Sequence, residues 1–125
     1  MSEALDPIGL EILRSRLETV AEQAALAVEH TAVSPAVTES RDYSVTLLDA
    51  DGALVIGAGQ VLYHYAAASH TVRSTIARHG DTIADGDVFI ANDPHSGGGL
   101  HPQDVMIHRP IYANDLTSTL PICQW

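Results

Sequence analysis

Asp42-Tyr43-Ser44-Val45-Thr46-Leu47-Leu48-Asp49-Ala50-Asp51-Gly52-Ala53-Leu54-Val55-Ile56 is the stretch that decides the fold class. Asp42 to Leu48 is rich in β-branched, aromatic and aliphatic residues, the composition of a strand. Asp49-Ala50-Asp51-Gly52 is turn chemistry, and Ala53 to Ile56 reads as a second strand. A β-hairpin is predicted, with Gly57 and Gly59 ending it.

Working outward, Asp6 and Pro7 mark a helix start: a capping oxygen, then a residue whose missing N–H costs nothing at the first helical position. Leu10, Leu13, Leu17, Val20, Ala24 and Val28 recur at three- and four-residue spacing, predicting an amphipathic helix of roughly 20 residues. Ser34-Pro35 breaks that pattern. On the other side of the hairpin, residues 61 to 78 are helical in character, with Leu62, Ala66, Val72 and Ile76 as core positions and Gly80 as the stop. Val88 to Ala91 reads as a short strand, Asn92 to Gln103 as a glycine-rich loop, and Asp104 to about Tyr112 as a further strand. Asn114-Asp115 turns the chain again. Pro121 to Trp125 follows an apparent strand, with no closing helix or polar tail. The order α-β-β-α-β-loop-β predicts a single α+β domain with its strands in a mixed sheet.

Composition bounds the function. The chain has 125 residues, 46% of them hydrophobic and 18% charged, enough apolar material for a core. Sixteen acidic residues oppose six basic ones, all arginine, for a formal charge of −10. With no basic cluster, binding to nucleic acid or to an anionic membrane surface is excluded. The single cysteine, Cys123, has no internal disulfide partner and no activating neighbour. No apolar run reaches the ~18 residues of a membrane span, and the acidic N-terminus is unlike a signal peptide. A cytoplasmic protein is expected. The P-loop, nucleophile-elbow and dinucleotide patterns are absent.

The chemistry concentrates between Asn92 and Asp104. This stretch carries Asp93, His95, His101 and Asp104 around the triplet Gly97-Gly98-Gly99. Three glycines carry a large ordering cost, best explained where backbone approaches a ligand closely; a bland surface loop is the competing reading. His101 and Asp104, at i and i+3 across a turn, can converge on one divalent cation, and mixed nitrogen and oxygen ligation suits Mn, Fe or Zn. Such a site takes a third ligand, for which Asp93, His95 and His108 are candidates. His108 is the weakest, since ~3.3 Å per residue puts it ~13 Å along the strand from Asp104. His64 and His70 read as partly buried structural histidines, and His30 and His79 as helix-end residues. Arg41-Asp42 suits either an anionic substrate or a structural ion pair.

The order of motifs resembles the hydantoinase B family. Those motifs are Asp6-Pro7-Ile8, Arg14-Ser15-Arg16-Leu17-Glu18, Thr31-Ala32 before Ser34-Pro35, Arg41-Asp42-Tyr43-Ser44, Asp49-Ala50-Asp51-Gly52, and Asp87-Val88-Phe89-Ile90-Ala91-Asn92-Asp93-Pro94. The family comprises B-type subunits of ATP-dependent hydantoinases and 5-oxoprolinases and related subunits of ketone carboxylases. The resemblance implies that residues 1–125 are the N-terminal part of a longer, hydantoinase B-like domain. It also implies a divalent, Mn-like metal (Zn or Fe being the alternatives) held by His101 and Asp104 of His101-Pro102-Gln103-Asp104. The family's further histidine would fall beyond Trp125, since nothing from Leu116 to Trp125 matches its segment; Asp93 and His95 then look like loop formers or outer-sphere groups.

The implied function is that of a subunit in a cyclic amide hydrolase or ketone carboxylase, in which the metal polarises a carbonyl. Asn92, Asp93 and Gly98 would face the substrate. ATP would be bound by a hydantoinase A-like partner, not by this chain, in a hetero-oligomer. The alternative is a truncated, non-catalytic fragment with at most a role in subunit interaction, its C-terminal strands left unpaired.

Overall fold

The structure, a computed structural model, describes residues 6–112 and the backbone of 119–124. Helix α1 spans Pro7–Thr31. Asp6 caps it, its carboxylate accepting the Gly9 N–H at 2.7 Å. At Ser34-Pro35 the chain does more than stop: Pro35 opens a one-turn helix α2, Pro35–Thr38, because proline is pre-set for a first helical position. Strands β1 (Ser44–Leu48) and β2 (Leu54–Gly59) form the expected antiparallel hairpin. Asp49 holds its turn, Oδ1 accepting the N–H groups of Asp51 at 3.0 Å and Ala53 at 2.8 Å.

Gly57 and Gly59 lie within β2 and do not end it. Both mark close approaches, as glycine in a strand often does. A Cβ on Gly57 would meet the Tyr65 ring at 2.8 Å, and Gly59, at φ +111°, would meet the Tyr43 carbonyl oxygen at 2.6 Å.

Helix α3 follows at Tyr63–His79, then a 3₁₀ turn at Gly80–Thr82, and strands β3 (Phe89–Ala91), β4 (Met106–Tyr112) and β5 (Thr119–Gln124). The sheet order is β2-β1-β5-β4-β3. Every neighbouring pair is antiparallel. The α+β class therefore holds, while the expected mixed pairing does not. A parallel pair needs a crossover between neighbours; the one helical crossover, α3, joins β2 to β3 at opposite edges of the sheet. The sequence reading also foresaw unpaired strands at the C-terminal end. Instead β5 is central, pairing with β1 through Val45↔Gln124 and Leu47↔Ile122 and with β4 through His108↔Cys123 and Tyr112↔Thr119.

Two packed clusters follow the strand alternation. Val45 and Tyr43 pack with Ala25, Ala24 and Val28 of α1, and with Val37 and Ala58. Leu48 packs with Ala67, Ala68, Val72 and Ile76 of α3 and with Met106 of β4. The predicted apolar stripe of α1 is only half used: Ala24 and Val28 pack, whereas Leu10, Leu13 and Val20 are exposed. Length explains this, since the 25 residues of α1 reach about 37 Å at ~1.5 Å each, twice the reach of the strands beneath. On α3, Val72 and Ile76 join the core as expected, but Ala66 is exposed, as is Leu62 just before the helix; Ala67 and Ala68 take their place. His70 is likewise exposed instead of partly buried. Asn114-Asp115 and the side chain of Cys123 lie outside the described residues. Among the described residues no helix is long and apolar enough to cross a membrane.

Candidate functional site

The loop from Asn92 to Val105 joins β3 to β4 and lies against the middle of α3. Asp93 organises its first turn. Its carboxylate accepts the His95 N–H at 2.9 Å and the Ser96 hydroxyl at 2.6 Å, and its carbonyl accepts the N–H groups of Ser96 and Gly98. The Ser96 hydroxyl and then the His95 N–H hold the Asp93 carboxyl below its ordinary range. Asn92 closes the loop, donating from Nδ2 to the Pro102 carbonyl at 3.1 Å.

The glycine triplet is explained by the chain's own packing. Gly97, at φ +95°, sits where a Cβ would meet Ser74 of α3 at 2.5 Å; one on Gly98 would meet the Asn92–Asp93 backbone, and one on Gly99 would run into the Asp104 side chain. The Gly98 carbonyl receives a 3.4 Å bond from Thr71 of α3. The close approach that the glycines permit is thus to α3 and to Asp104.

That packing delivers Asp104. The His101 carbonyl accepts the Asp104 N–H at 3.0 Å, closing the turn, and Asp104 Oδ2 accepts the Leu100 N–H at 3.2 Å. Asp104 Oδ1 stands 3.4 Å from His101 Nδ1; the Asp104 side chain is 7% exposed and that of His101 52%. Two donors on one tetrahedral ion with ~2.1 Å bonds are ~3.4 Å apart, so the pair fits two positions of a divalent-metal ligand set. Among the described residues no group of three or more His, Cys, Asp or Glu side chains is arranged to hold a metal. The Asp93 carboxylate is turned into the loop's own bonding, whereas His95 joins it only through its backbone N–H and its residue is exposed. His108 is remote: β4 alternates regularly without a bulge, and His108 Nε2 bonds Thr75 Oγ1 at 2.8 Å, well along α3.

The family's sequence profile, described as Hydantoinase B/oxoprolinase, matches residues 6–122. The chain belongs to this family. It is 34% identical to 5-oxoprolinase 1 of Arabidopsis thaliana over 107 residues, covering 86% of the chain and 8% of that protein. It is 30% identical to caprolactamase subunit beta of Pseudomonas jessenii over 108 residues, covering 86% of the chain and 18% of that subunit. The crystal structure of the ATP-dependent caprolactamase of Pseudomonas jessenii superposes with a TM-score of 0.80 at 26% identity, over 98% of this chain and 21% of the other. Nucleotide-free acetone carboxylase superposes with a TM-score of 0.75 at 26% identity, over 95% and 16%. The chain spans less than a quarter of each of these relatives.

In this hydantoinase B/oxoprolinase chain the fold adds neighbours to the pair that sequence spacing missed. His64, at the start of α3, is buried; its Nδ1 lies 3.2 Å from Ser44 Oγ and its Nε2 3.9 Å from Asp42 Oδ1. Ser44 spends its hydroxyl proton on the Val61 carbonyl, so the hydrogen in the imidazole contact belongs to Nδ1. Burial lowers the His64 pKa, against the opposing pull of the Asp104 and Asp42 carboxylates. Burial, followed by the same two carboxylates, raises that of Tyr63. The start of α3 therefore lies in the field of Asp104. His64 was read as structural, and its burial agrees; its electrostatic link to Asp104 was not anticipated. Arg41 does not pair with Asp42: it reaches Glu29 of α1 at 3.7 Å, which also accepts the Tyr43 hydroxyl at 2.7 Å. That leaves Asp42 facing His64. The signal was Arg41-Asp42 itself, but its partners stand on helices far away in sequence.

Proposed function

We propose that this chain forms the opening part of a hydantoinase B-like subunit in an ATP-dependent cyclic amide hydrolase or ketone carboxylase. The observation that carries the reading is the His101–Asp104 pair, with one buried carboxylate oxygen fixed by the Leu100 N–H and the other presented to an imidazole at 3.4 Å. A divalent metal, Mn-like with Zn or Fe as alternatives, would be held there with a ligand from outside the described residues. When bound, it supplies Lewis acidity to a carbonyl or carboxylate oxygen of the substrate.

The chain's own residues set up that place. Gly99 lets the loop close over Asp104, and the Leu100 N–H aims the carboxylate. Asn92, Asp93 and Gly98 form the rim on which a small carbonyl or cyclic amide substrate would rest. ATP belongs on a hydantoinase A-like partner in a cytoplasmic hetero-oligomer. The names of the relatives, an ATP-dependent caprolactamase and an acetone carboxylase, support both reaction classes.

The test is metal analysis of the full-length subunit, purified with its ATP-binding partner. His101→Ala and Asp104→Ala are expected to abolish stoichiometric Mn²⁺ binding, and His108→Ala to retain it. Retention by the first two, or equal loss in all three, overturns the assignment. A second reading, a subunit-interaction role without catalysis, is favoured by the ligand count of two among the described residues. Stoichiometric metal in the 125-residue chain alone would remove it.

A further inference from the structure

The tripeptide Ala-Asp-Gly occurs twice, as Ala50-Asp51-Gly52 in the turn between β1 and β2 and as Ala84-Asp85-Gly86 in the turn before β3. An aspartate followed by glycine is prone to one covalent change. The glycine nitrogen attacks the side-chain carboxyl carbon and a cyclic imide forms. One water leaves, made of the amide hydrogen and the carboxyl hydroxyl. Water then opens the imide at either carbonyl. Opening at the side-chain carbonyl restores aspartate; opening at the main-chain carbonyl leaves the glycine attached through the side chain, as isoaspartate. One water has left and one has entered, so no other reactant is needed. Glycine favours the step because no Cβ crowds the attacking nitrogen or restricts the backbone.

The tripeptides are identical, so the fold decides between them. Asp51 and Gly52 are tied at the backbone groups that must move. The Asp51 N–H donates to Asp49 Oδ1 at 3.0 Å, and the Asp51 carbonyl accepts from Arg73 Nε at 3.2 Å. The Gly52 N–H donates to the Asp49 carbonyl at 3.0 Å. Gly52 is also buried against α3, where a Cβ would meet Arg73 Cγ at 2.9 Å. The nitrogen that must attack is already spent on a hydrogen bond.

None of these ties holds the second pair. Asp85 and Gly86 are both exposed. Among the described residues, the Asp85 N–H, the Asp85 carbonyl and the Gly86 N–H make no hydrogen bond. The flanking residues close the turn instead: the Ala84 carbonyl accepts the Asp87 N–H at 3.2 Å, and Asp87 Oδ2 accepts the Ala84 N–H at 2.8 Å. Gly86 stands at φ +89° with nothing within 4 Å of the place of a Cβ. The attacking nitrogen is free and has room.

We propose that Asp85 is a modification site, converted spontaneously to isoaspartate in the folded protein while Asp51 is spared. The product carries its Cβ in the main chain and bears a free α-carboxylate. The backbone between Ala84 and Asp87 thereby grows by one carbon, immediately before β3 and the glycine-rich loop that follows it.

The test is to age the purified protein in heavy-oxygen water at neutral pH and physiological temperature, with and without urea, and to digest it with trypsin in ordinary water. Cleavage after Arg41, Arg73 and Arg78, with the Arg109-Pro110 bond spared, puts Asp51 in the peptide Asp42–Arg73 and Asp85 in His79–Trp125. Each passage through the imide adds one heavy oxygen, and fragmentation of the peptides locates the isoaspartate. In the folded protein, label and isoaspartate should accumulate at Asp85 at least tenfold faster than at Asp51, about what one hydrogen bond to be broken is worth. In urea, where the identical tripeptides lose their different surroundings, the two rates should converge. Asp85→Glu, whose longer side chain cannot close the same ring, should remove the label from His79–Trp125 and leave Asp42–Arg73 unchanged. The proposal is overturned by the absence of isoaspartate at Asp85, or by a ratio below tenfold in the folded protein. A ratio that persists in urea, or label that survives Asp85→Glu, would overturn it too.

Discussion

Gly97 and Gly86 both sit at positive φ, +95° and +89°, yet their surroundings differ. A Cβ on Gly97 would strike Ser74 at 2.5 Å, whereas one on Gly86 would meet nothing within 4 Å. Gly86→Ala should therefore cost about 1 kcal/mol, the backbone strain alone. Gly97→Ala adds overpacking and should cost about 2–3 kcal/mol. Urea midpoints measure the difference; equal costs would mean that the loop does not rest on α3. His108 makes a second residue-scale prediction. Its pKa falls from 6.5 to about 4 on folding because burial disfavours the charged ring. Between those pH values the unfolded chain binds a proton that the folded chain does not. Its stabilising contribution is thus intact above pH 6.5 and is lost as pH falls towards 4, by on the order of 3 kcal/mol at most. Denaturant midpoints across that range should show the loss, and His108→Leu should flatten it. At this scale the site was half legible. His101 and Asp104 advertise themselves by spacing, as local turns do. The placing of His64 in the field of both Asp42 and Asp104 depends on where the sheet puts the start of α3, which no local pattern encodes.

The β1–β2 hairpin shows how local chemistry sets an element. Asp49 ties the turn through its two N–H contacts, so Asp49→Ala should cost about 1–2 kcal/mol. Asp51→Ala, whose residue is exposed, should cost less than about 0.5 kcal/mol. Thermal unfolding of the two variants checks the contrast, and comparable losses would count against the turn's role. The hairpin and both long helices were readable because turn residues, caps and periodicity are local. Helix faces were less so. The periodicity of α1 marked Leu10 and Leu13 as confidently as Ala24 and Val28, but only the C-terminal half of that helix has a sheet beneath it. The glycines of β2 misled for a related reason: they answer to Tyr65 and Tyr43, contacts made after folding.

Across the whole molecule, β5 joins two halves. One is β1, β2 and α1; the other is α3, β3, β4 and the glycine-rich loop. Without β5, β1 and β4 would each lose a neighbour. A chain ending at Tyr112 should therefore lose its cooperative melting transition and gain a tendency to associate through open strand edges. Circular dichroism melts and light scattering test this, and a sharp transition in the shortened chain would show that the halves hold together through α3 alone. The sequence pattern marked an apparent strand near Pro121 but not its place, because pairing Val45 with Gln124 spans most of the chain. That separation has a consequence during synthesis. The hairpin is made early, yet β1 waits with one edge bare until β5, which follows α3, β3 and β4 in sequence, has also left the ribosome. Sheets closed by such distant pairings form slowly. The rate of translation, and whatever shields that edge in the interval, would then bear on how much protein reaches its native state.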